Sequence, residues 1–248
     1  MRTSTTFCVV CAGVLSCVAM LVQASAREAP ATSLTWPVRT PIYGEGSGRR
    51  QNVGQAGQGT AAATSVPIGG SATKGSRSAR VAIVEYADFE CPYCGAFARE
   101  TLPKLDAQYV KTGKVLLVFK HRPIASIHPN ALRAATSAEC AREQGSFWPM
   151  HDLLFSDQSH LSEAALLTRA ARLALDVESF RRCLTEHGVR RVNDDAAAAT
   201  ALQITGTPTF LIGTIQSGGT ILVRERLEGA RPLSAFQPVL DRLLAQAK

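Results

Sequence analysis

The pattern of hydrophobic and polar positions changes at about residue 66, after which strand and helix periods alternate. Two short apolar runs rich in β-branched residues, 80–87 (RVAIVEYA) and 115–120 (VLLVFK), predict buried strands. Between them, apolar residues recur every three to four positions from 97 to 109, which predicts a helix with one buried face. Pro103 lies inside that helix and predicts a kink.

Helical periods dominate the second half of the chain. Residues 130 to about 187 show only helical periodicity, and an alanine-rich helix is predicted at about 189–202. Two apolar runs on either side of the turn residues 217–219 then predict a hairpin. A final amphipathic helix is predicted to open with Ser234 and Gln237 as a capping box.

This order of elements predicts an α/β fold. A parallel strand–helix–strand unit joined to an antiparallel hairpin gives a central mixed sheet with helices on both faces. The helices between about 123 and 188 form an insertion in this arrangement. We therefore predict one folded domain over 66–248, which is long enough for a single well-buried core.

The first 26 residues carry the features of a secretory signal peptide. Arg2 supplies a positive start, residues 7–22 contain no charged side chain, and Ala24-Ser25-Ala26 provides a small-residue cleavage site. The uncharged run is shorter than the ~20 residues that a membrane-spanning helix needs. A lipid anchor at Cys17 is the alternative, although apolar residues continue beyond it. We therefore expect a periplasmic or other extracytoplasmic location.

Residues 27–65 are predicted to form a disordered or low-complexity linker. Nine of the 19 glycines lie between 44 and 75, and no aromatic residue occurs between Tyr43 and Tyr86. Such a stretch buries too little apolar surface to offset the conformational entropy that folding would cost.

Export changes the interpretation of the cysteines and of the charge. Three of the seven cysteines lie in the signal, which leaves Cys91, Cys94, Cys140 and Cys183. An even number in an oxidising compartment favours disulfides over free thiols. The formal charge of +7 is scattered and forms no basic stripe with interleaved aromatics, so we predict no nucleic-acid partner.

The segment Cys91-Pro92-Tyr93-Cys94 lies where a predicted strand passes into a predicted helix. Pro92 suits the first helical position, so Cys91 stands at the helix N-terminus, where free N–H groups and the helix dipole favour a thiolate. Cys94, one turn further on, is expected to be buried and to close a disulfide with Cys91. The alternatives are a purely structural disulfide and half of a zinc site.

Cys140 and Cys183 fall on apolar helix faces. We expect them to form a structural disulfide, worth about 4 kcal/mol in the chain-entropy model; two buried free thiols are the alternative. They are far apart in the sequence and show no pairing with histidine at zinc spacing. We therefore predict neither a metal ion nor another cofactor.

Two further features accompany the cysteine pair. Glu85 lies on the strand that precedes Cys91, and on its buried side a carboxyl group could relay protons to the dithiol; a solvent-exposed charge is the alternative. Thr207-Pro208 follows a glycine and opens a strand. A cis bond there would present the Thr207 backbone to an extended substrate.

Three segments together resemble the DsbA-like thioredoxin family of exported thiol:disulfide oxidoreductases, namely VEYADFECPYCGAF, HPNALRAATSAECAREQGSFWPMHDLLF and TGTPTF. The resemblance runs from about Val66 to the C-terminus and implies a thioredoxin-like fold with an inserted helical subdomain. It also implies that Cys91 is the nucleophile, Cys94 the resolving cysteine, Glu85 a buried acid and Pro208 a cis-proline.

The same resemblance implies exported proteins with cysteines as substrates and a membrane partner, linked to quinone, that reoxidises the dithiol. Two departures leave the direction of exchange open. Pro-Tyr stands between the cysteines where the best-known oxidase has Pro-His, and isomerase and reductase relatives also have threonine at the position of Thr207.

Isomerases of this type are usually dimers with a folded N-terminal domain, and Gly44–Gly75 offers none. We therefore predict a monomeric oxidase, with an isomerase or reductase as the enzymatic alternative. The remaining alternative is a non-catalytic binding module with a thioredoxin fold.

Overall fold

The computed structural model describes residues 64–247. The predicted signal peptide, 1–26, and the predicted linker as far as residue 63 lie outside the described residues. Across 64–247, no helix is long and apolar enough to pass through a membrane.

Six strands form one mixed sheet. In chain order they are β1 (Ser65–Pro67), β2 (Ala72–Lys74), β3 (Val81–Ala87), β4 (Val115–His121), β5 (Thr209–Gln216) and β6 (Thr220–Glu228). Their order across the sheet is β1-β6-β5-β3-β4-β2. The strands β3 and β4 pair in parallel, and the other neighbours pair antiparallel. The predicted mixed sheet is confirmed.

The two central strands explain the continuous apolar runs in the sequence. Every residue of β3 and β4 is buried, because helices cover both faces of the sheet there. The edge strands β1 and β2 have three residues each, and the sequence pattern did not predict them.

Helices fill the remainder of the described chain. After β3 come α1 (Pro92–Ala96) and α2 (Leu102–Leu105), followed by α3 (Ala131–Glu143), α4 (Phe147–Ser156), α5 (Glu163–Arg172), α6 (Val177–Glu186), α7 (Val189–Ala201) and α8 (Leu233–Gln246). The helices α3 to α6 lie between β4 and α7, in the region where the sequence predicted a helical insertion.

The irregularity expected at Pro103 takes the form of two π-helical turns. They span Phe97–Thr101 and Asp106–Val110, on either side of α2. Pro103 lies at the start of α2, where its missing N–H disturbs the regular hydrogen bonds of the preceding turn. The segment from 92 to 110 is therefore helical throughout but wound unevenly.

Side chains of β3 divide between two hydrophobic layers. Val81 and Ile83 pack with Phe97, Leu105 and Phe236, which places the 92–110 segment and α8 on one face of the sheet. On the other face, Ala82 and Val84 of β3 pack with Ala199 of α7 and with Ile204 in the loop after α7. A third hydrophobic cluster joins the turn that contains Cys91 and Cys94 to the inserted helices.

The capping box predicted for the last helix is wrong. The helix α8 begins at Leu233, with Pro232 at the N-cap in an extended conformation and no side-chain cap. Ser234 therefore lies within the first turn, because the fixed backbone of Pro232 starts the helix earlier than the serine would.

Candidate active site

Cys91 and Cys94 lie at the N-terminus of α1, just beyond the end of β3. Cys91 is the N-cap residue, Pro92 occupies the first turn, and Cys94 lies inside the helix. Both cysteines are free thiols in this structure. Cys91 is 4% exposed and Cys94 is completely buried, so an incoming thiol reaches the sulfur of Cys91 first.

The pKa values of the two thiols are shifted in opposite directions. A hydrogen bond from the thiol of Cys94 has the largest effect on the pKa of Cys91 and lowers it. Burial raises this pKa, whereas the side chain of Thr207 and the N–H groups of Cys94 and Tyr93 lower it further. Together they lower the pKa of Cys91 to about 5. Burial first, and then the neighbouring Cys91, raise the pKa of Cys94 well above its ordinary value. At neutral pH, Cys91 is therefore a thiolate and Cys94 a thiol.

Glu85 is buried beneath the dithiol. It lies in the middle of β3, between Phe119 of β4 and Phe210 of β5. Neither of its carboxylate oxygens has a hydrogen-bond partner within residues 64–247. Burial raises the pKa of this carboxyl group to about 8, and the carboxyl group in turn contributes to the raised pKa of Cys94. Glu85 can thus hold a proton near neutral pH.

Thr207 and Pro208 lie next to Cys91. The peptide bond between them is cis. In its thiol form, Cys91 donates from Sγ to the carbonyl oxygen of Thr207, at 3.4 Å. The Thr207 hydroxyl lies near enough to contribute to the lowered pKa of Cys91, yet among the described residues no group meets hydrogen-bonding geometry with it. The hydroxyl is therefore available to the thiolate form of Cys91.

A second group of residues, which the sequence analysis did not single out, fixes the turn before Cys91. The buried carboxylate of Asp88 accepts hydrogen bonds from the N–H groups of Glu90 and Ile124 and from Nδ1 of His128, each at 2.8 Å. The N–H of Asp88 donates to the Sγ of Cys94 at 3.4 Å. Asp88 thus joins Cys94 to the loop after β4.

Gln158 holds the active-site turn from the side of the inserted helices. Its amide nitrogen donates to the carbonyl oxygens of Phe89 at 3.0 Å and Cys91 at 2.8 Å. A side chain at Gly95 would collide with Gln158 and with Arg99. Glycine at this position therefore lets Gln158 approach the turn closely, a contact that sequence periodicity does not show.

Cys140 and Cys183 form a disulfide between α3 and α6. The S–S distance is 1.99 Å and the Cα atoms are 5.7 Å apart. Both residues are 1% exposed. The bridge ties two of the inserted helices together and takes no part in the contacts around Cys91.

The fold and the site define a thioredoxin-type protein with an asymmetric dithiol, and comparison with known proteins agrees. A family model described as thioredoxin matches residues 68–221. The chain therefore belongs to the thioredoxin family, and the thioredoxin-like fold expected from the sequence is confirmed.

Several solved structures have a similar fold, DsbA proteins among them. Alpha-DsbA1 of Wolbachia pipientis is 28% identical with a TM-score of 0.63, covering 73% of this chain and 94% of that one. Oxidised BdbD of Bacillus subtilis is 20% identical with a TM-score of 0.63, covering 74% of this chain and 98% of that one; this second likeness shows the fold alone. The resemblance to the DsbA-like family is confirmed.

A curated relative is a much longer protein. The Na(+)/H(+) antiporter NhaA 3 of Salinispora tropica is 45% identical over 140 residues, which are 56% of this chain and 21% of the antiporter. The chain thus spans about a fifth of the length of that protein, and the antiporter name describes the longer chain.

Proposed function

We propose that this protein is an exported thiol–disulfide oxidase that introduces disulfides into other exported proteins. The observation that carries the proposal is the opposite acidity of the two thiols, with the pKa of Cys91 lowered to about 5 and that of Cys94 raised. A stabilised thiolate favours the reduced form of a dithiol, and a dithiol that prefers to be reduced is a strong oxidant.

In the proposed reaction the protein begins with a Cys91–Cys94 disulfide. A substrate thiolate attacks the Sγ of Cys91, so that a mixed disulfide forms and the sulfur of Cys94 leaves. A second substrate thiolate then attacks the substrate sulfur of the mixed disulfide. The substrate gains a disulfide, and Cys91 leaves as a thiolate. Two electrons pass to the protein, and the low pKa of Cys91 makes it a good leaving group.

Glu85 serves the proposed reaction as a proton donor and acceptor for Cys94. When Cys94 leaves as a thiolate in a fully buried position, it needs a proton, and the carboxyl group of Glu85 still carries one near neutral pH because its pKa is about 8. The transfer neutralises the sulfur and places the charge on the carboxylate.

Thr207 and Pro208 serve as the proposed substrate-binding edge. The carbonyl oxygen of Thr207 lies 3.4 Å from the Sγ of Cys91, so a chain held along this segment would bring its cysteine to the nucleophile. The Thr207 hydroxyl would stabilise the thiolate when Cys91 leaves.

The cellular setting of the proposal rests on the sequence. The signal-like residues 1–26 support export to the periplasm or an equivalent space. There the protein would act as a monomer on cysteine-containing proteins, and a quinone-linked membrane partner would remove the two electrons. An isomerase or reductase would use the same residues with the dithiol kept reduced.

The proposal is tested by mixing the oxidised protein with a reduced, unfolded two-cysteine protein. An oxidase should form one substrate disulfide for each Cys91–Cys94 disulfide consumed. The Cys91→Ser/Cys94→Ser variant should form none. Failure to oxidise this substrate, combined with repair of a wrongly paired one by the reduced protein, would instead support the isomerase.

A further inference from the structure

Two pairs of side chains link α3 and α6 at successive turns. The first pair is the disulfide Cys140–Cys183. The second is Glu143 and His187, whose Oε2 and Nε2 atoms are 3.1 Å apart. One candidate ligand atom from each of Glu143, Cys183 and His187 lies within 4.8 Å of the other two. Four residues with metal-binding atoms therefore converge at one place.

We propose that reduction of the Cys140–Cys183 bridge creates a Zn²⁺ site whose ligands are Cys140, Cys183, His187 and Glu143. The site is separate from the dithiol at Cys91, and its existence does not depend on the proposed oxidase activity. In the structure described, the two sulfurs are bonded to each other, so only the carboxylate and the imidazole offer free ligand atoms.

The ligand set suits zinc. Two thiolates, an imidazole and a carboxylate supply the four ligands that tetrahedral Zn²⁺ prefers, with Zn–S bonds of about 2.3 Å and Zn–N bonds of about 2.0–2.1 Å. Each cysteine brings its own partner one helical turn later, as Cys140-x2-Glu143 and Cys183-x3-His187. The spacing of Cys183 and His187 was not recognised from the sequence as a ligand pair, and only the packing of α3 on α6 brings the two local pairs together.

The two cysteines are buried, whereas His187 and Glu143 are partly exposed to solvent. Both cysteines are 1% exposed, whereas the side chains of His187 and Glu143 are 40% and 42% exposed. An ion can therefore reach His187 and Glu143 from solvent and then bind the two sulfurs beneath them.

Gly188 packs closely against both sulfurs of the bridge. A Cβ atom at this position would lie 2.6 Å from the Sγ of Cys140 and 2.8 Å from the Sγ of Cys183. In a tetrahedral site the sulfurs must separate from disulfide contact to more than about 3 Å, as bonds of about 2.3 Å require. Because Gly188 has no side chain, only its backbone lies against the two sulfurs on this side.

The chemistry balances with a dithiol as reductant. The dithiol gives two electrons and two protons to the bridge and becomes a disulfide, and Cys140 and Cys183 become thiols. Binding of Zn²⁺ then releases both thiol protons to solvent and replaces the contact between His187 and Glu143.

The experiment uses the full chain with serine in place of Cys8, Cys11, Cys17, Cys91 and Cys94, because these other cysteines could themselves bind zinc. The protein is reduced anaerobically with a water-soluble phosphine, which opens the bridge and becomes a phosphine oxide. Zn²⁺ affinity is then measured by competition with a chromogenic chelator, and Co²⁺ is used as a spectroscopic probe. We expect one ion per reduced chain, thiolate-to-cobalt absorption, and binding at least about 100-fold weaker in the oxidised protein.

Ligand variants decide whether the site is the one proposed. In the same background, His187→Ala and Glu143→Gln should each weaken Zn²⁺ binding by more than about 10-fold, since even the loss of a supporting residue costs that much. Glu178→Gln, which removes an exposed acid from the first turn of α6, should have no effect.

Three results would overturn the proposal. One is equal Zn²⁺ affinity in the oxidised and reduced proteins. Another is that the His187→Ala variant binds as tightly as the Glu178→Gln control. The third is a reduced protein that circular dichroism shows to be unfolded and that Zn²⁺ does not refold, because the site requires α3 and α6 to stay packed.

Discussion

The Sγ of Cys91 and the carbonyl oxygen of Thr207 lie 3.4 Å apart, although 116 residues separate them in the sequence. The contact places the N-terminus of α1 against the start of β5. The Cys91 thiol and the backbone at Thr207 are thereby held together by two elements that the central sheet fixes in position. This relationship connects the chemistry proposed for Cys91 with the substrate binding proposed for Thr207.

Single cysteine substitutions should separate the roles of the two thiols. In Cys94→Ser, the Cys91 thiolate should attack a substrate disulfide and release one substrate thiolate. No Cys94 sulfur is then present to displace the bound substrate, so mixed disulfides with substrate proteins should accumulate on non-reducing gels. Cys91→Ser should accumulate none and lose exchange activity, because Cys94 is completely buried. Substrate complexes formed through Cys94 in the Cys91→Ser protein would contradict the assignment.

Thr207→Val should raise the pKa of Cys91, because it removes a hydroxyl group that contributes to the lowered value. Loss of one hydrogen bond to a charged group corresponds to a shift of about one pKa unit. The pKa is measured from the pH dependence of alkylation or of thiolate absorbance, with Thr200→Val as a control on the exposed face of α7. An unchanged pKa would show that the Thr207 hydroxyl does not act on the thiolate.

The thiolate of Cys91 should also make the stability of the reduced protein depend on pH. The pKa of this group falls from 9.0 to about 5 on folding, so its stabilising contribution is complete above pH 9 and is lost as the pH falls towards 5. Chemical denaturation should therefore show the free energy of unfolding of the reduced protein falling, relative to that of the oxidised protein, as the pH falls over that range. A constant difference would argue against a depressed pKa.

Glu85→Gln should stabilise the protein increasingly as the pH rises. Burial raises the pKa of Glu85 from 4.5 to about 8, so between these values the folded state keeps a proton that the unfolded state releases, and stability falls with pH. The substituted amide would not ionise, and the advantage of the variant over the wild-type protein should reach a few kcal/mol by about pH 8. Denaturation of both proteins at the two ends of this pH range tests the prediction, and a pH-independent difference would contradict it.

The same variant should slow thiol exchange near neutral pH, because the proposed proton donor for Cys94 is gone. Glu85→Asp keeps an acid on the strand and should retain more activity than the glutamine variant. Equal exchange rates in the wild-type and Glu85→Gln proteins would remove Glu85 from the mechanism.

Removing the second disulfide should lower stability and spare catalysis. Cys140 and Cys183 lie 43 residues apart in the sequence, and a bridge over such a loop stabilises by about 4 kcal/mol in the chain-entropy model. Replacing both with alanine should therefore lower the melting temperature, while exchange through Cys91 continues. A variant that keeps its stability but loses exchange would reverse this division of roles.

Local signals in the sequence were sufficient for the central elements and the dithiol. The apolar runs of β3 and β4 predicted buried strands because both faces of each strand are covered. Cys91 and Cys94 could be assigned because the strand-to-helix position of a CxxC motif is itself a local feature. Glu85, which lies on β3 six residues before Cys91, could be found in the same way.

Contacts between distant segments could not be predicted in this way. Gln158 lies 67 residues from the Cys91 carbonyl group to which it donates, and His128 lies 40 residues from Asp88. No period or spacing connects such pairs, since only the packing of the inserted helices and of the loop after β4 brings them together. The edge strands β1 and β2 were missed because three residues are too few to show alternation.

The reduction potential of the Cys91–Cys94 couple is the most direct test of the proposed oxidase. It is measured by equilibrating the protein with glutathione redox buffers and quantifying the reduced dithiol. Because the Cys91 thiolate stabilises the reduced form, we predict a potential close to the value of about −120 mV found for DsbA. A potential near the value of about −270 mV found for thioredoxin would contradict the oxidase and indicate a reductase.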